Sequence, residues 1–418
     1  MMGRCTGGIW VALVGLLAAG RAVGQTLYTN DGVLNARQEA QRWWINRARF
    51  DPEKEADRLG LVNSTAGGHP DYDCCEDTSA NNDFGTTPAE WAPWKASKPP
   101  LAPHRLLRLT ATNHARDMAE TGIFQHNSPS ANYYPLNSTP GQRLTAQGYT
   151  WSAYGECIGG NYASGRAFHE GIFRDSIIED RGHRRIILGA DYRELGVGNA
   201  YRPASGWTYD VQDYGARSSG HFFTDTIFFD ANANGIYDEG EGVSNIVVTL
   251  FDGATRYGTG DLSTASGNFA VPIDALTDGR SITVKLSNTN GSPNARVTLP
   301  FGYNTTGDIW LPRGATNTIG VFTQPVGRVN VGFRNLEPHI LATREARSNN
   351  NVHVSFSAFA RVTYVIESAD AGLKGTWRPF FTNTAATSTV AFVDSGQCGR
   401  GLPTTKTNRF YRARMVRD

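Results

Sequence analysis

Charge of one sign is what this sequence lacks most plainly. Its 418 residues carry 40 Lys and Arg against 39 Asp and Glu, a formal net charge of +1. That balance excludes a chain-wide field that would draw it to nucleic acid or to an anionic surface. Long hydrophobic runs are also missing. The one apolar run, Ile9 to Ala19 in "MMGRCTGGIWVALVGLLAAGRAVGQT", is shorter than the roughly 20 residues that span a bilayer. With Arg4 before it and Ala22-Val23-Gly24 after it, the run reads as a secretory signal peptide over residues 1–24. The expectation is an exported protein, extracellular or in the cell envelope, with no transmembrane span in the mature chain. No G-x-S-x-G elbow and no H-E-x-x-H helix occurs, so two common hydrolase signatures are absent.

Cysteine is scarce as well, with five in all. Beyond Cys5 in the leader stand Cys74, Cys75, Cys157 and Cys398; export permits disulfides among them. Four cysteines allow three pairings, and sequence does not choose. Cys74 and Cys75 are adjacent and do not bridge each other without strain. What the chain has in quantity is glycine, 46 residues, and aromatics, 11%, the composition of many turns and much β structure.

The length suggests two to four domains, and the texture changes twice. Helical periodicity is confined to residues 30–215, within a first domain expected over 25–218. In "VLNARQEAQRWWINRARFDP", Val33, Ala36, Ala40, Trp43, Trp44 and Arg47 recur at spacings of three and four, and Asp51-Pro52 ends the helix. In "HRLLRLTATNHARDMAETG", Leu107, Ala111, His114, Ala115 and Met118 share one face and Gly122 is the stop. A third helix is expected in "GRAFHEGIFRDSIIED". Between the first two, residues 64–99 are polar and rich in turn residues, a surface insertion whose acids Asp71, Asp73, Glu76 and Asp77 read as a solvated cluster. "ELGVGNAYRPASGWTYDVQDYG" alternates as two strands about a turn. From about 219 onward only short strands at regular spacing follow, the pattern of β-sandwiches, with a joint near 336–348.

Four signals in the first region carry potential chemistry. "FQHNSP" places His126 past the end of the second helix, and "GYTWSAYGECIGG" places Glu156 in a glycine-rich segment. "FRDS" places Asp175 on the third helix, and "RGHRRIIL" places His183 after Gly182, read here as that helix's end. Two imidazoles and two carboxylates on one cavity would suit a divalent metal or proton transfer. His114 and His169 are expected on helix surfaces.

These pieces, with "WINRARFDP", "RLTAQGYTWSAYGECIGG" and "ELGVGNAY…YDVQDYG", resemble the CAP superfamily (cysteine-rich secretory proteins, antigen 5 and pathogenesis-related proteins) in its bacterial form, over about 180 residues in family order. The resemblance implies an α-β-α sandwich whose cleft carries two His and two Glu and, in some members, a divalent ion such as zinc. His126, Glu156 and His183 match the first histidine, the glutamate of the Gly-Glu-Asn motif and the second histidine. Cys157 stands in place of the asparagine, and a bridge from it to Cys74 or Cys75 would tether the inserted loop. Asp175 stands where the family has Trp-x-x-Glu, with Asp180 and Ser176 as competitors. The implied function is binding of a small lipid, glycan or peptide ligand, or of an extracellular partner. The alternatives are a metal-assisted hydrolase or protease, in which His126, Glu156 and His183 would be catalytic, and a structural envelope protein with a vestigial cleft. Nothing in the sequence sets the oligomeric state.

The second constellation is "DANANGIYDEGE", which fits D-x-[DN]-x-[DN]-G-x5-E at every fixed position. Asp230, Asn232, Asn234, the Ile236 carbonyl, Asp238 and Glu241 are the expected calcium ligands, and Gly235 allows the turn. The flanks are strand-like, so the stretch 219–335 resembles the calcium-stapled B-type repeats of bacterial adhesins. Residues 336–418 resemble appended fibronectin-III-like domains, with Trp377 expected in core packing or against a glycan. The expected architecture is a CAP domain followed by two all-β immunoglobulin-like sandwiches.

Overall fold

The computed structural model describes residues 34–61, 94–175, 182–289, 292–301, 306–327, 329–338, 343–348, 351–369, 377–387, 389–396 and 410–416. The stretch 1–24 expected to be a signal peptide, the insertion up to residue 93 with its four acids, Cys74, Cys75, Cys398, Ser176 and Asp180 lie outside these residues.

Helix α1 (Ala36–Phe50) begins at Asn35, whose side chain and that of Gln38 form a reciprocal capping box. Asp51 ends it and caps α2 (Pro52–Arg58), accepting the Lys54 N–H at 3.1 Å. The sequence suggests one apolar face for α1, yet Gln38 through Arg49 are all buried. The reason is that α1 lies between two layers. Arg42 pairs with Glu39 at 2.6 Å and donates to the Asp225 carbonyl and the Thr226 hydroxyl of the β region, both at 2.9 Å. Arg49 donates to the Ile187 and Gly189 carbonyls at 2.8 and 2.7 Å. Buried charge is tolerated because each head group is hydrogen-bonded.

A four-stranded sheet runs β1 (Ala102–Pro103), β3 (Glu194–Arg202), β4 (Trp207–Ala216), β2 (Ala153–Gly160), with β2 at its edge. Helix α3 (Arg105–Thr121) covers one face, where Ala111, Ala115 and Met118 pack on Ile158 and Val211. The approach is close enough to require glycine: a Cβ at Gly196 would lie 2.0 Å from the Leu107 carbonyl carbon, and one at Gly198 2.2 Å from that of Ala111. On the opposite face α1, α5 (Gly165–Arg174) and α6 (Gly182–Ile187) bring Ile45, Phe168, Ile172 and Ile186 onto Cys157 and Val197. Each such side chain contributes about 1.5–3 kcal/mol by leaving water. A short α4 (Pro140–Ala146) precedes β2. The unit is three-layered, helix on sheet on helix.

Gly182 opens α6 rather than ending the preceding helix, so His183 lies in a first helical turn. Helix α5 already stops at Asp175, in the left-handed region at φ 52°. His114 and His169, expected at the surface, are both buried. His114 Nε2 meets the Gln125 carbonyl at 3.0 Å; His169 Nε2 meets Glu55 at 2.9 Å, and its ring stacks on Trp44.

Beyond residue 219 the described residues form strands and one 3-10 turn, Phe333–Asn335. The sheets are β13-β12-β9-β6-β7, β5-β8, β10-β11, β14-β15-β18 and β17-β16-β19. Their spans are β5 Phe222–Thr226, β6 Ile246–Asp252, β7 Thr255–Leu262, β8 Asn268–Pro272, β9 Ser281–Asn288, β10 Ala295–Pro300, β11 Thr306–Leu311, β12 Thr316–Thr323, β13 Glu337–Pro338, β14 Thr343–Ser348, β15 Asn351–Ser357, β16 Thr363–Ala369, β17 Arg378–Thr384, β18 Thr389–Asp394 and β19 Phe410–Met415. The stretch read as an unpatterned joint thus holds β13 and β14. One apolar core runs from Phe223 to Phe392, carried past residue 336 by the Phe301–Phe359 ring stack at 4.8 Å. No helix among the described residues is long and apolar enough to cross a membrane.

Candidate functional site

Gly122 ends α3 at φ 74°, and the chain turns through His126 towards the edge strand β2. There His126 Nδ1 meets Glu156 Oε1 at 2.9 Å. The second oxygen of Glu156 accepts from Arg143 of α4, a short ion pair in which both side chains are fully buried. Arg143 also donates to the His126 carbonyl at 2.6 Å and the Ser138 carbonyl at 2.9 Å, fixing the loop that carries the histidine. Burial would raise the Glu156 pKa, but Arg143, with His114 and His126, outweighs it and holds the group well below the usual carboxylate range. An ionised carboxylate only accepts, so His126 carries its proton on Nδ1. Its Nε2 is buried with no hydrogen-bond partner among the described residues.

A second dyad stands at α6. His183 Nδ1 meets Asp175 Oδ1 at 2.6 Å, and Asp175 Oδ2 accepts the backbone N–H of His183 at 2.8 Å and of Arg184 at 3.4 Å. Asp175 therefore caps α6 from eight residues upstream, satisfying N–H groups that a helix start leaves unpaired. His183 Nε2 is likewise buried without a partner among the described residues. Arg184 is buried and donates to the Phe173 carbonyl at 2.7 Å.

The four expected residues thus occur as two imidazole–carboxylate pairs. Successive residues of a strand point to opposite faces. Glu156, with His126, lies on the α3 face of β2. Cys157 lies on the other, with its sulfur 4.0 Å from the His183 carbonyl. Among the described residues, no three His, Cys, Asp or Glu side chains form a group able to hold a metal ion.

Two residues of this site escaped the sequence reading, Arg143 and Asp213. Asp213 is paired in register with Glu156 across β2 and β4. It is fully buried, and among the described residues no N–H or hydroxyl group donates to either carboxylate oxygen. Burial, then the neighbouring Glu156 charge, push its pKa well above the carboxylate range. Its signal lay in "TYDVQDYG", where Asp213 shares the inward parity of Tyr209 and Val211, an acid in an apolar stripe. Arg143 had no such signal.

The 230–241 loop is a compact turn with Ala233 at φ 58° and Gly235 at φ 80°. Asp230 accepts the Asn234 and Gly235 N–H groups at 3.0 and 2.8 Å; Glu241 accepts those of Ala231 and Asp238 at 3.0 and 2.9 Å. The amides of Asn232 and Asn234 both reach Asp238 Oδ2, at 2.8 and 2.7 Å. Burial and then the Asp238 and Asp230 charges raise the Glu241 pKa, a crowding of like charge that a cation would relieve. The loop offers hard oxygen of the kind calcium takes, although its three carboxylates, each turned to N–H donors, do not stand as a metal-holding group. The loop is seated on the α/β unit. Phe228, Ile236 and Tyr237 pack against Trp43 and Trp44 of α1, and Glu239 accepts the N–H of Gly165, the first residue of α5, at 2.8 Å.

A three-layer α/β unit with a histidine and glutamate at its sheet edge defines the class, and comparison with known proteins bears on it directly. Residues 94–214 match the model of the cysteine-rich secretory protein family, CAP; this stretch is a CAP domain. Helix α1 lies before the matched stretch yet packs into it. A crystal structure of an extracellular protein containing an SCP domain from Bacillus anthracis is 26% identical, over 29% of this chain and 35% of that one, with a TM-score of 0.23. The chain thus spans about a third of that protein. An outer surface protein from Borrelia burgdorferi is 14% identical over 28% of this chain and 78% of that one, with a TM-score of 0.24. Comparison with curated proteins finds no match.

Proposed function

We propose that this is an exported binding protein whose CAP domain takes a small lipid, glycan or peptide ligand, or an extracellular partner, at the imidazoles of His126 and His183. One observation carries the reading. Each ring has a carboxylate on Nδ1 and a buried, unpartnered Nε2, and buried polar atoms are ordinarily satisfied. The same arrangement, a carboxylate behind the ring and a free nitrogen in front, is how metal-ligating histidines are held. A divalent cation such as zinc would be held by the Nε2 atoms of His126 and His183, with Glu156 and Asp175 behind them rather than as ligands. Bound there, it would polarise a carbonyl or water of the ligand. The 230–241 loop would hold calcium through Asp230, Asn232, Asn234, Ile236, Asp238 and Glu241, stiffening the seat of the β region on α1. In this reading the β region presents the CAP domain as two immunoglobulin-like modules.

The experiment compares wild type with His126→Ala/His183→Ala, with and without zinc, against lipid, glycan and peptide libraries. Stoichiometric binding that the double variant loses supports the reading. A second reading, hydrolysis, draws on the same dyads, because an imidazole oriented by a carboxylate is a general base. Turnover lost in the double variant would favour it. Libraries that wild type and variant ignore alike would leave a structural envelope protein.

A further inference from the structure

Arg361 precedes β16, far in sequence from the acidic loop, yet its Nη1 donates to Asp230 Oδ2 at 2.9 Å. Its Nη2 donates to Asp308 of β11 in a short ion pair and to the Thr298 hydroxyl at 3.2 Å. The residue is held in the left-handed region at φ 68°, a conformation unfavourable for a non-glycine residue that the surrounding contacts must sustain. Its N–H is fixed to the Ala385 carbonyl at 2.7 Å. Asp230 is at once the first ligand position of the loop and the carboxylate that this guanidinium touches.

We infer that Arg361 is a built-in competitor of calcium: its guanidinium neutralises Asp230 when the loop is empty and opposes the ion when the loop is filled. This rests on the calcium reading of residues 230–241. A calcium ion lies about 2.3–2.6 Å from its oxygen ligands, so an ion on Asp230 and the guanidinium on Oδ2 would share one carboxylate. Like charges across one acceptor repel, and the cost is reciprocal. Arg361 weakens calcium binding, and calcium weakens the Asp230–Arg361 tie, leaving Arg361 to Asp308. That tie joins the loop to the strands beyond residue 336, so calcium stiffens the joint to α1 and loosens the joint to the C-terminal strands. With two neutral asparagine ligands besides, the loop is set for the weak affinity of extracellular modules.

The test is calorimetric titration of calcium chloride into the chelator-treated full chain, as wild type, Arg361→Gly and Arg361→Gln. Glycine suits φ 68°, so that variant is expected to fold; glutamine keeps the volume and removes the charge. Both are expected to bind calcium at least tenfold more tightly than wild type. Equal or weaker binding by both variants, with wild type binding, overturns the role of Arg361 and leaves the calcium loop standing. No binding by any of the three overturns both.

Discussion

Replacing Asp175 by alanine tests how His183 is placed. Asp175 accepts from the His183 N–H at 2.8 Å, the Arg184 N–H at 3.4 Å and His183 Nδ1 at 2.6 Å. Loss of an N-cap costs about 0.5–2 kcal/mol. Leaving a buried donor unsatisfied costs about 1–3 kcal/mol more. The sum is about 1.5–5 kcal/mol, and alanine, which tolerates the φ 52° backbone less well than aspartate, does not reduce it. For a unit of this size about 1 kcal/mol moves the midpoint by roughly 2–4 °C, so Asp175→Ala should unfold about 3–20 °C lower by scanning calorimetry. Asp175→Asn retains a cap oxygen and tolerates the left-handed backbone, so it should lose about half as much. A Tm for Asp175→Ala within 2 °C of wild type would falsify the long-range cap.

Three further outcomes follow from the same contacts. His114 is held at a pKa of about 4 by burial, against 6.5 for an exposed imidazole. Between these values the unfolded chain binds the extra proton, so stability falls as pH drops from about 6.5 to 4, by roughly 3 kcal/mol at 1.36 kcal/mol per unit. Urea titrations of His114→Phe should lack that segment, and an unchanged pH profile contradicts the assignment. Arg143→Met strands the Glu156 carboxylate and should cost about 3–5 kcal/mol; urea midpoints that coincide with wild type would remove the pair from the account. Calcium at a hundred times its Kd should stabilise the β region by about 2.7 kcal/mol, Asp230→Ala should abolish the gain, and calorimetry without calcium dependence refutes the loop assignment.

The sequence carried the elements whose causes are local. Asp51-Pro52, Gly122 and the alternation of "ELGVGNAY" marked two helix ends and a strand because capping, left-handed turns and strand parity act within a few residues. His126 and Glu156 were legible as motif residues, and they meet. The burial of His114 and His169 was not, because it depends on Gln125, Glu55 and Trp44 arriving from elsewhere. Gly182 was misread for a similar reason: its place at a helix start goes with the Asp175 side chain, which accepts the N–H groups of His183 and Arg184 from outside that helix. Burial around the whole of α1 depends on Asp225, Thr226 and Phe228, nearly two hundred residues on. Arg361 reaching Asp230 belongs with these, a contact no periodicity encodes.

The central claim is that His126 and His183 offer their Nε2 atoms to one ligand. Long-range 15N spectra of the imidazoles, recorded during a zinc titration of the full chain, test it most directly. The account predicts that both rings begin as Nδ1–H tautomers and that both Nε2 signals move together, saturating at one zinc per chain. Movement of one ring alone, or of neither, would contradict it.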